Sequence, residues 1–290
     1  MLPEFGLLMP RTLPEALEML ARGAPEVKPL AGGTNVIVEM REGRRYKTLM
    51  DVTKLSELRG IRRENGHIVV GGGTTIAELL THPLIVEHGA PLQQAAATLG
   101  SPLVRNRATL AGNLADASPA ADTAPPLLVL DADVELASRE GKRCVPLEAF
   151  IVGPNETIIR PQELLVAVRW PVPSRRSLGA FHKLGLRKAL ACAVVNAAVM
   201  VESGPGGHCR NVRIALGAVA PRPVRVGTAE DLLCNQPVTP ELITQAARLA
   251  AEASNPIDDV RGSAAYRRRM VEVLVRRLLE KVVANGVTTE

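Results

Sequence analysis

Helix-like and strand-like hydrophobic patterns follow one another along this chain without a regular strand–helix–strand alternation. That order points to an α+β fold rather than a doubly wound parallel sheet. The 290 residues suggest one large or two medium domains. Hydrophobic residues make up 46% of the chain but aromatic ones only 2%. The core must therefore be built from Leu, Val, Ile and Ala.

Thr12 followed by Glu15 has the form of a capping box. Leu13, Leu17 and Leu20 then supply an apolar stripe, and Gly23 is placed to end the helix. Residues 46–52 and 67–71 read as strands, and Thr75 with Glu78 repeats the capping pattern. A further helix is expected over 91–99. Residues 101–122 have little periodicity and many small or polar side chains, so they are expected to form a long functional loop. Residues 127–137 and 164–170 read as strands, the second with Leu164, Val166, Val168 and Trp170 on one face. The proline-rich stretch 171–177 is the best domain boundary. Beyond it, strands are expected over 192–202 and 212–219, with a turn at 204–207. Helices follow over 240–253, capped by Thr239 with Pro240 first, and over 263–284.

Charge and residue spacing exclude several functions. The net charge is +5, with Arg267, Arg268, Arg269, Arg276 and Arg277 close together. They share a segment with Met270, Leu274, Leu278 and Val282, the spacing of an amphipathic helix with a solvated face. No base-stacking aromatics accompany them, so no nucleic-acid partner is expected. Cys144, Cys192, Cys209 and Cys234 lie far apart in sequence and match no zinc or iron–sulfur spacing. The longest apolar run, 189–201, is interrupted by Asn196 and is too short for a membrane span. The first residues lack a signal-peptide pattern, so the cytoplasm is expected, with reduced cysteines.

Two small-residue segments carry the chemistry. In Ala31-Gly32-Gly33-Thr34-Asn35, paired glycines permit positive φ and close approach of a phosphate. Successive amides in such a turn can form an anion-binding concavity. On so short a motif, a purely structural turn is the favoured reading. Thr109-Leu110-Ala111-Gly112-Asn113 offers a second such turn, and Asp122 adds a carboxylate nine residues later. Asp122 suits ribose or ribityl hydroxyls, and equally suits a cap on the segment that follows. Together, two such turns suit the two sides of a dinucleotide's diphosphate, a group costly to desolvate.

Leu30 to Asn35, Arg105 to Asn113 and Ala117 to Asp122 resemble the FAD-binding subunit of the xanthine dehydrogenase and carbon monoxide dehydrogenase family of molybdenum hydroxylases. So do Phe181-His182-Lys183, residues 214–221 and residues 265–268, in the same order through nearly the whole chain. The resemblance implies an FAD-binding domain over 1–173, with lobes of about 1–55 and 56–173, then a smaller α+β domain over 177–290. It implies that Leu30, Ala31, Gly32, Gly33, Thr34, Asn35 and Val36 cradle the FAD phosphates from one lobe. From the other lobe would come Thr109, Leu110, Ala111, Gly112 and Asn113, assisted by Ser118 and Asp122. Leu99 and Leu165 would lie against flavin or adenine, and Lys183 near the isoalloxazine, where a cation stabilises an anionic reduced ring.

A relay is also implied. A large molybdopterin-binding subunit hydroxylates the substrate, a small subunit with two [2Fe–2S] clusters carries electrons, and this chain's FAD delivers them to an external acceptor. A dimer of such heterotrimers is the implied assembly. Two departures stand out. Ala111-Gly112 occupies a place where relatives carry two glycines, and residues 188–191 are basic and apolar where an acid is common, which bears on the electron acceptor. Two rival readings are a stand-alone FAD reductase of the UDP-N-acetylenolpyruvoylglucosamine type and an assembly subunit without flavin.

Overall fold

The computed structural model describes residues 2–204 and 208–286. The first lobe holds a three-stranded parallel sheet in which Thr48–Asp51 lies between Gly6–Leu8 and Val27–Leu30. Helix Leu13–Gly23 covers it, burying Ala16, Leu17 and Leu20. Thr12 caps this helix by accepting from the Glu15 amide at 3.3 Å. The expected reciprocal bond is absent, because the Glu15 carboxylate accepts from the Arg11 amide at 2.7 Å instead. The Thr75–Glu78 box is complete in both directions.

The second lobe is a five-stranded antiparallel sheet in the order Ile61–Glu64, His67–Gly71, Leu164–Pro171, Asp133–Ser138, Gly141–Pro146. Leu164–Pro171 is central, and both its faces are buried. Its expected one-sided alternation fails, because the register shifts between Leu165 and Ala167. A bulge of this kind moves the residues after it to the opposite face. Leu164 and Val166 therefore pack towards the first lobe, while Val168 and Trp170 join the main core with Leu165.

Two further expectations are corrected. Residues 101–122 are not one long loop but carry the short helices Pro102–Arg105 and Leu110–Asp116. Ser101 and Thr109 cap them, each accepting a backbone amide on its hydroxyl. Residues 127–137 are not a continuous strand. Helix Ala124–Val129 comes first, and strand Asp133–Ser138 follows a turn with Asp131 at φ 53°. The apolar run at 124–130 is buried on every side, so period alone could not separate helix from strand there.

The last unit is a four-stranded antiparallel sheet of Ser177–Gly185, Ala193–Ser203, Cys209–Gly217 and Val224–Arg225. One face packs on helices Gly227–Leu233 and Ala264–Gly286, and Pro240–Ala253 packs against those two helices. The other packs on Ala90–Thr98 and Ala124–Val129 of the second lobe, bringing Phe181, Ala198, Met200 and Ala215 into the main core. Thr239 and Pro240 start their helix as expected. Part of the expected 204–207 turn lies outside the described residues.

The arginine-rich helix has an exposed face at Arg268, Arg269, Arg276 and Arg277, but Arg267 does not belong to it. That residue is 1% exposed. Its guanidinium donates to the carbonyls of Val194, Ala218 and Ile257, and it pairs with Asp259. Arg267 ties the last helix to the sheet. Among the described residues no helix is long and apolar enough to cross a membrane.

Candidate functional site

A cleft of about 440 Å³ opens between the first two lobes. Ala31, Gly32, Gly33, Thr34, Asn35 and Val36 line one wall, and Thr109, Ala111, Gly112 and Asn113 another. Leu99 and Leu165 complete the set of expected residues gathered there. Two segments more than seventy positions apart in sequence are thus brought to a single site. Leu30, Leu110, Ser118, Asp122 and Lys183 are not part of the lining. Leu30 ends a strand, Leu110 is fully buried in the core, and Ser118 accepts from the Ala120 amide.

The first wall is a turn running into helix Val36–Arg41. Gly33 has φ +71°, a conformation that L side chains rarely adopt. Gly32 lines the cleft and also meets a packing requirement. A Cβ there would lie 1.9 Å from the Arg107 carbonyl oxygen. Gly32 thus lets the two lobes meet, backbone against backbone. Among the described residues, the amides of Gly32, Gly33, Thr34 and Asn35 donate to no protein acceptor. Four successive free amides beside a left-handed glycine are suited to an anion.

The second wall works differently. Every amide of its first turn is already engaged. Leu110 donates to the Thr74 carbonyl, Ala111 to that of Gly72, Gly112 to the Thr109 hydroxyl and Asn113 to the Thr109 carbonyl. Within residues 110–113 this wall has only the Asn113 Nδ2 group to offer a ligand, and Thr109 just before them adds its hydroxyl proton and its own amide, which donates to no protein acceptor among the described residues. The Asn113 Oδ1 accepts from the Thr123 hydroxyl at 2.5 Å, which holds that amide in one orientation.

Sequence reasoning missed Gly72, Gly73 and residues 159–161, all of which line the cleft. The run Gly71-Gly72-Gly73 was the available signal. A Cβ on Gly72 would lie 2.6 Å from the Leu165 carbonyl oxygen and 3.0 Å from the Ala111 methyl. The glycine at 72 therefore makes room for alanine at 111. No signal in the sequence marked residues 159–161.

Asp122 and Lys183 form a buried pair behind the cleft wall. Their side chains are 6% and 7% exposed, with Nζ 2.5 Å from Oδ2. Lys183 also donates to the Thr98 carbonyl at 3.3 Å, one residue before Leu99. Asn196 donates to the other Asp122 oxygen at 3.0 Å. Burial pushes the Asp122 carboxyl above its ordinary range, against the pull of Lys183 and Asn196. Lys183 is thus no ordinary surface lysine, and the trio joins the last sheet to the second lobe. Elsewhere on the lining, Arg143 holds Glu163 below the usual carboxylate range although burial opposes it.

Residues 3–173 match the family model for the FAD binding domain in molybdopterin dehydrogenase. Residues 180–282 match that for the CO dehydrogenase flavoprotein C-terminal domain. The chain belongs to the FAD-binding subunits of the xanthine and carbon monoxide dehydrogenase family of molybdenum hydroxylases. It is similar to the carbon monoxide dehydrogenase medium chain of Hydrogenophaga pseudoflava, 31% identical and covering 96% of each chain. It is 30% identical to the xanthine dehydrogenase FAD-binding subunit of Escherichia coli O157:H7, over 94% of each chain. Among solved structures, a carbon monoxide dehydrogenase from Hydrogenophaga pseudoflava superposes with a TM-score of 0.94 at 30% identity, covering 98% of this chain and 99% of that one. Quinoline 2-oxidoreductase from Pseudomonas putida 86 gives 0.92 at 30% identity, covering 99% of both.

As a member of this FAD-binding subunit family, the chain is an oxidoreductase component and not a stand-alone reductase. Its own residues fit the cofactor's chemistry. Residues with unclaimed amides and residues with side-chain donors line the same cleft, and the apolar Leu99 and Leu165 supply surface for a ring system.

Proposed function

We propose that the cleft between the two lobes holds FAD and that the chain serves as the electron-relay subunit of its complex. Bound FAD supplies the redox chemistry, taking electrons from iron–sulfur clusters on a small partner and releasing them to an external acceptor. The protein's part is to bind and orient. The amides of Gly32–Asn35 receive one side of the diphosphate, and Thr109 and Asn113 donate to the other. Leu30 and Val36 fix the ends of the first turn, and Leu110 anchors the second in the core. Ser118 and Asp122 act from behind the wall. Leu99 and Leu165 exclude water from the ring. Lys183, paired with Asp122 and bonded to the Thr98 carbonyl, fixes the backbone that presents Leu99 to the ring.

The observation that carries this reading is the set of unclaimed amides at Gly32–Asn35, opposite the free donors of Thr109 and Asn113. Such amides, at a helix start that lines a cleft, are placed to bond an anion in place of water. In the complex, a large molybdopterin subunit and a small iron–sulfur subunit complete the path, assembled as a dimer of heterotrimers in the cytoplasm.

Reconstitution tests the proposal. The purified chain, mixed with FAD and desalted, is expected to retain a flavin absorption spectrum in about equimolar amount. Riboflavin, which lacks the diphosphate, should be retained far less. Equal retention of the two would remove the role of the amides. A chain that copurifies with its partners, yet holds no flavin, would instead be an assembly subunit.

A further inference from the structure

Strand Cys209–Gly217 is paired along its length with Ala193–Ser203, but on its other side strand pairing is confined to Ala215 and Leu216. Near Cys209 that open edge is covered by residues 234–237. The Asn235 amide donates to the Cys209 carbonyl at 2.7 Å, and the Cys209 amide donates to the Gln236 carbonyl at 3.1 Å. The Cys234 thiol approaches the same strand, with Sγ 3.2 Å from the Arg210 carbonyl oxygen. Two free cysteines, 25 positions apart, are thus held side by side across a hydrogen-bonded edge.

We propose that Cys209 and Cys234 form a reversible disulfide when the protein meets hydrogen peroxide, locking residues 234–237 onto the edge of the last sheet. The two thiols differ in a way that sets the order of events. Cys209 is buried, and burial, with Cys234 beside it, pushes its thiol up to about 11. That burial shields Cys209 from a dissolved oxidant but not from a sulfur held next to it. Cys234 is partly exposed and meets peroxide before Cys209 does. Its sulfur is oxidised to a sulfenic acid as the peroxide O–O bond breaks and one water leaves. Cys209 sulfur then attacks Cys234 sulfur, and its proton departs with the displaced hydroxyl as a second water. Two thiols and one peroxide yield one disulfide and two waters. Cys144 and Cys192 lie in other elements, Cys144 in strand Gly141–Pro146 and Cys192 between Ser177–Gly185 and Ala193–Ser203.

The test exposes the full chain to a small excess of hydrogen peroxide, alkylates the remaining thiols and maps the peptides by mass spectrometry. The expected product links the Cys209 and Cys234 peptides, lighter by two hydrogens, and returns to free thiols with dithiothreitol. The oxidised protein should melt several degrees higher than the reduced one. Cys209→Ser should leave Cys234 as a sulfenic acid that a dimedone probe traps, and Cys234→Ser should leave Cys209 reduced. Both variants should lose the melting shift. Separate alkylation of Cys209 and Cys234 after peroxide, or conversion of Cys234 to sulfinic acid without linkage, would overturn the proposal.

Discussion

The Arg107 carbonyl oxygen occupies the space that a side chain on residue 32 would need, 1.9 Å from the ideal Cβ position. The contact joins the lobes beside the cleft, and the atoms a Cβ would meet are all backbone, Arg107 O and C and Ala108 N. Gly32→Ala is expected to destabilise the protein by about 1–3 kcal/mol through overpacking. It should also weaken FAD binding at least tenfold, because the two walls move apart. Gly33→Ala meets no such obstacle and costs about 1–2 kcal/mol for its left-handed backbone. Urea denaturation and FAD titration of both variants check this contrast. A Gly32→Ala protein that binds FAD normally would show that the lobes do not depend on the contact.

The amides of residues 110–113 bond to Thr74, Gly72 and Thr109 itself, which leaves the Thr109 and Asn113 side chains as donors for a ligand. Thr109→Val and Asn113→Leu should each weaken FAD binding by about tenfold to a hundredfold, the range for a hydrogen bond to a charged group. Riboflavin binding should change much less. Fluorescence titration with the two flavins measures the difference, and equal losses would argue against diphosphate contact.

Ala111→Gly is expected to cost about 0.5–1 kcal/mol, as glycine does inside a helix. It should leave FAD affinity nearly unchanged, because the Ala111 methyl faces Gly72. A clear gain in affinity would mean that alanine at this position obstructs the ligand.

Lys183→Met leaves the Asp122 carboxyl buried without its partner. The expected loss is about 3–5 kcal/mol at neutral pH. The sign of the pH effect follows from the raised Asp122 value. A carboxyl whose folded value lies above the unfolded one contributes its stability at low pH and loses it as pH rises through the folded value. The deficit of Lys183→Met should therefore shrink as the medium is acidified. The double variant Lys183→Met with Asp122→Leu should recover most of the loss. Chemical denaturation across pH tests both statements.

Asp259 gives the opposite slope. The Arg261 guanidinium holds its carboxyl down from 3.8 to about 2. Stability from this group is complete above its ordinary value and is lost as pH falls from there towards the folded value. Asp259→Asn should flatten that part of the acid limb, seen as a smaller drop in melting temperature between about pH 4 and pH 2. An unchanged limb would place the acid sensitivity elsewhere.

Much of this protein could be read from local pattern. Thr239 with Pro240 marks its helix start, the Thr75–Glu78 box marks another, and the order of elements gives the α+β class. The two small-residue turns could also be found, because glycine pairs and Thr-x-x-x-Asn are local signals. Where burial is complete, the pattern fails. Residues 124–130 are covered on every side, so no period distinguishes helix from strand, and the bulge at 165–167 reverses an alternation that looked regular.

Tertiary structure alone decided how the turns are used. Free amides at 32–35 and engaged amides at 110–113 cannot be told apart in sequence, because a hydrogen-bond partner distant along the chain leaves no local trace. The same holds for Arg267, whose spacing matches its exposed neighbours although its guanidinium is enclosed by three carbonyls. Side-chain period fixes which way a residue points along one element. What it meets there depends on how the elements pack, and packing is a property of the whole chain.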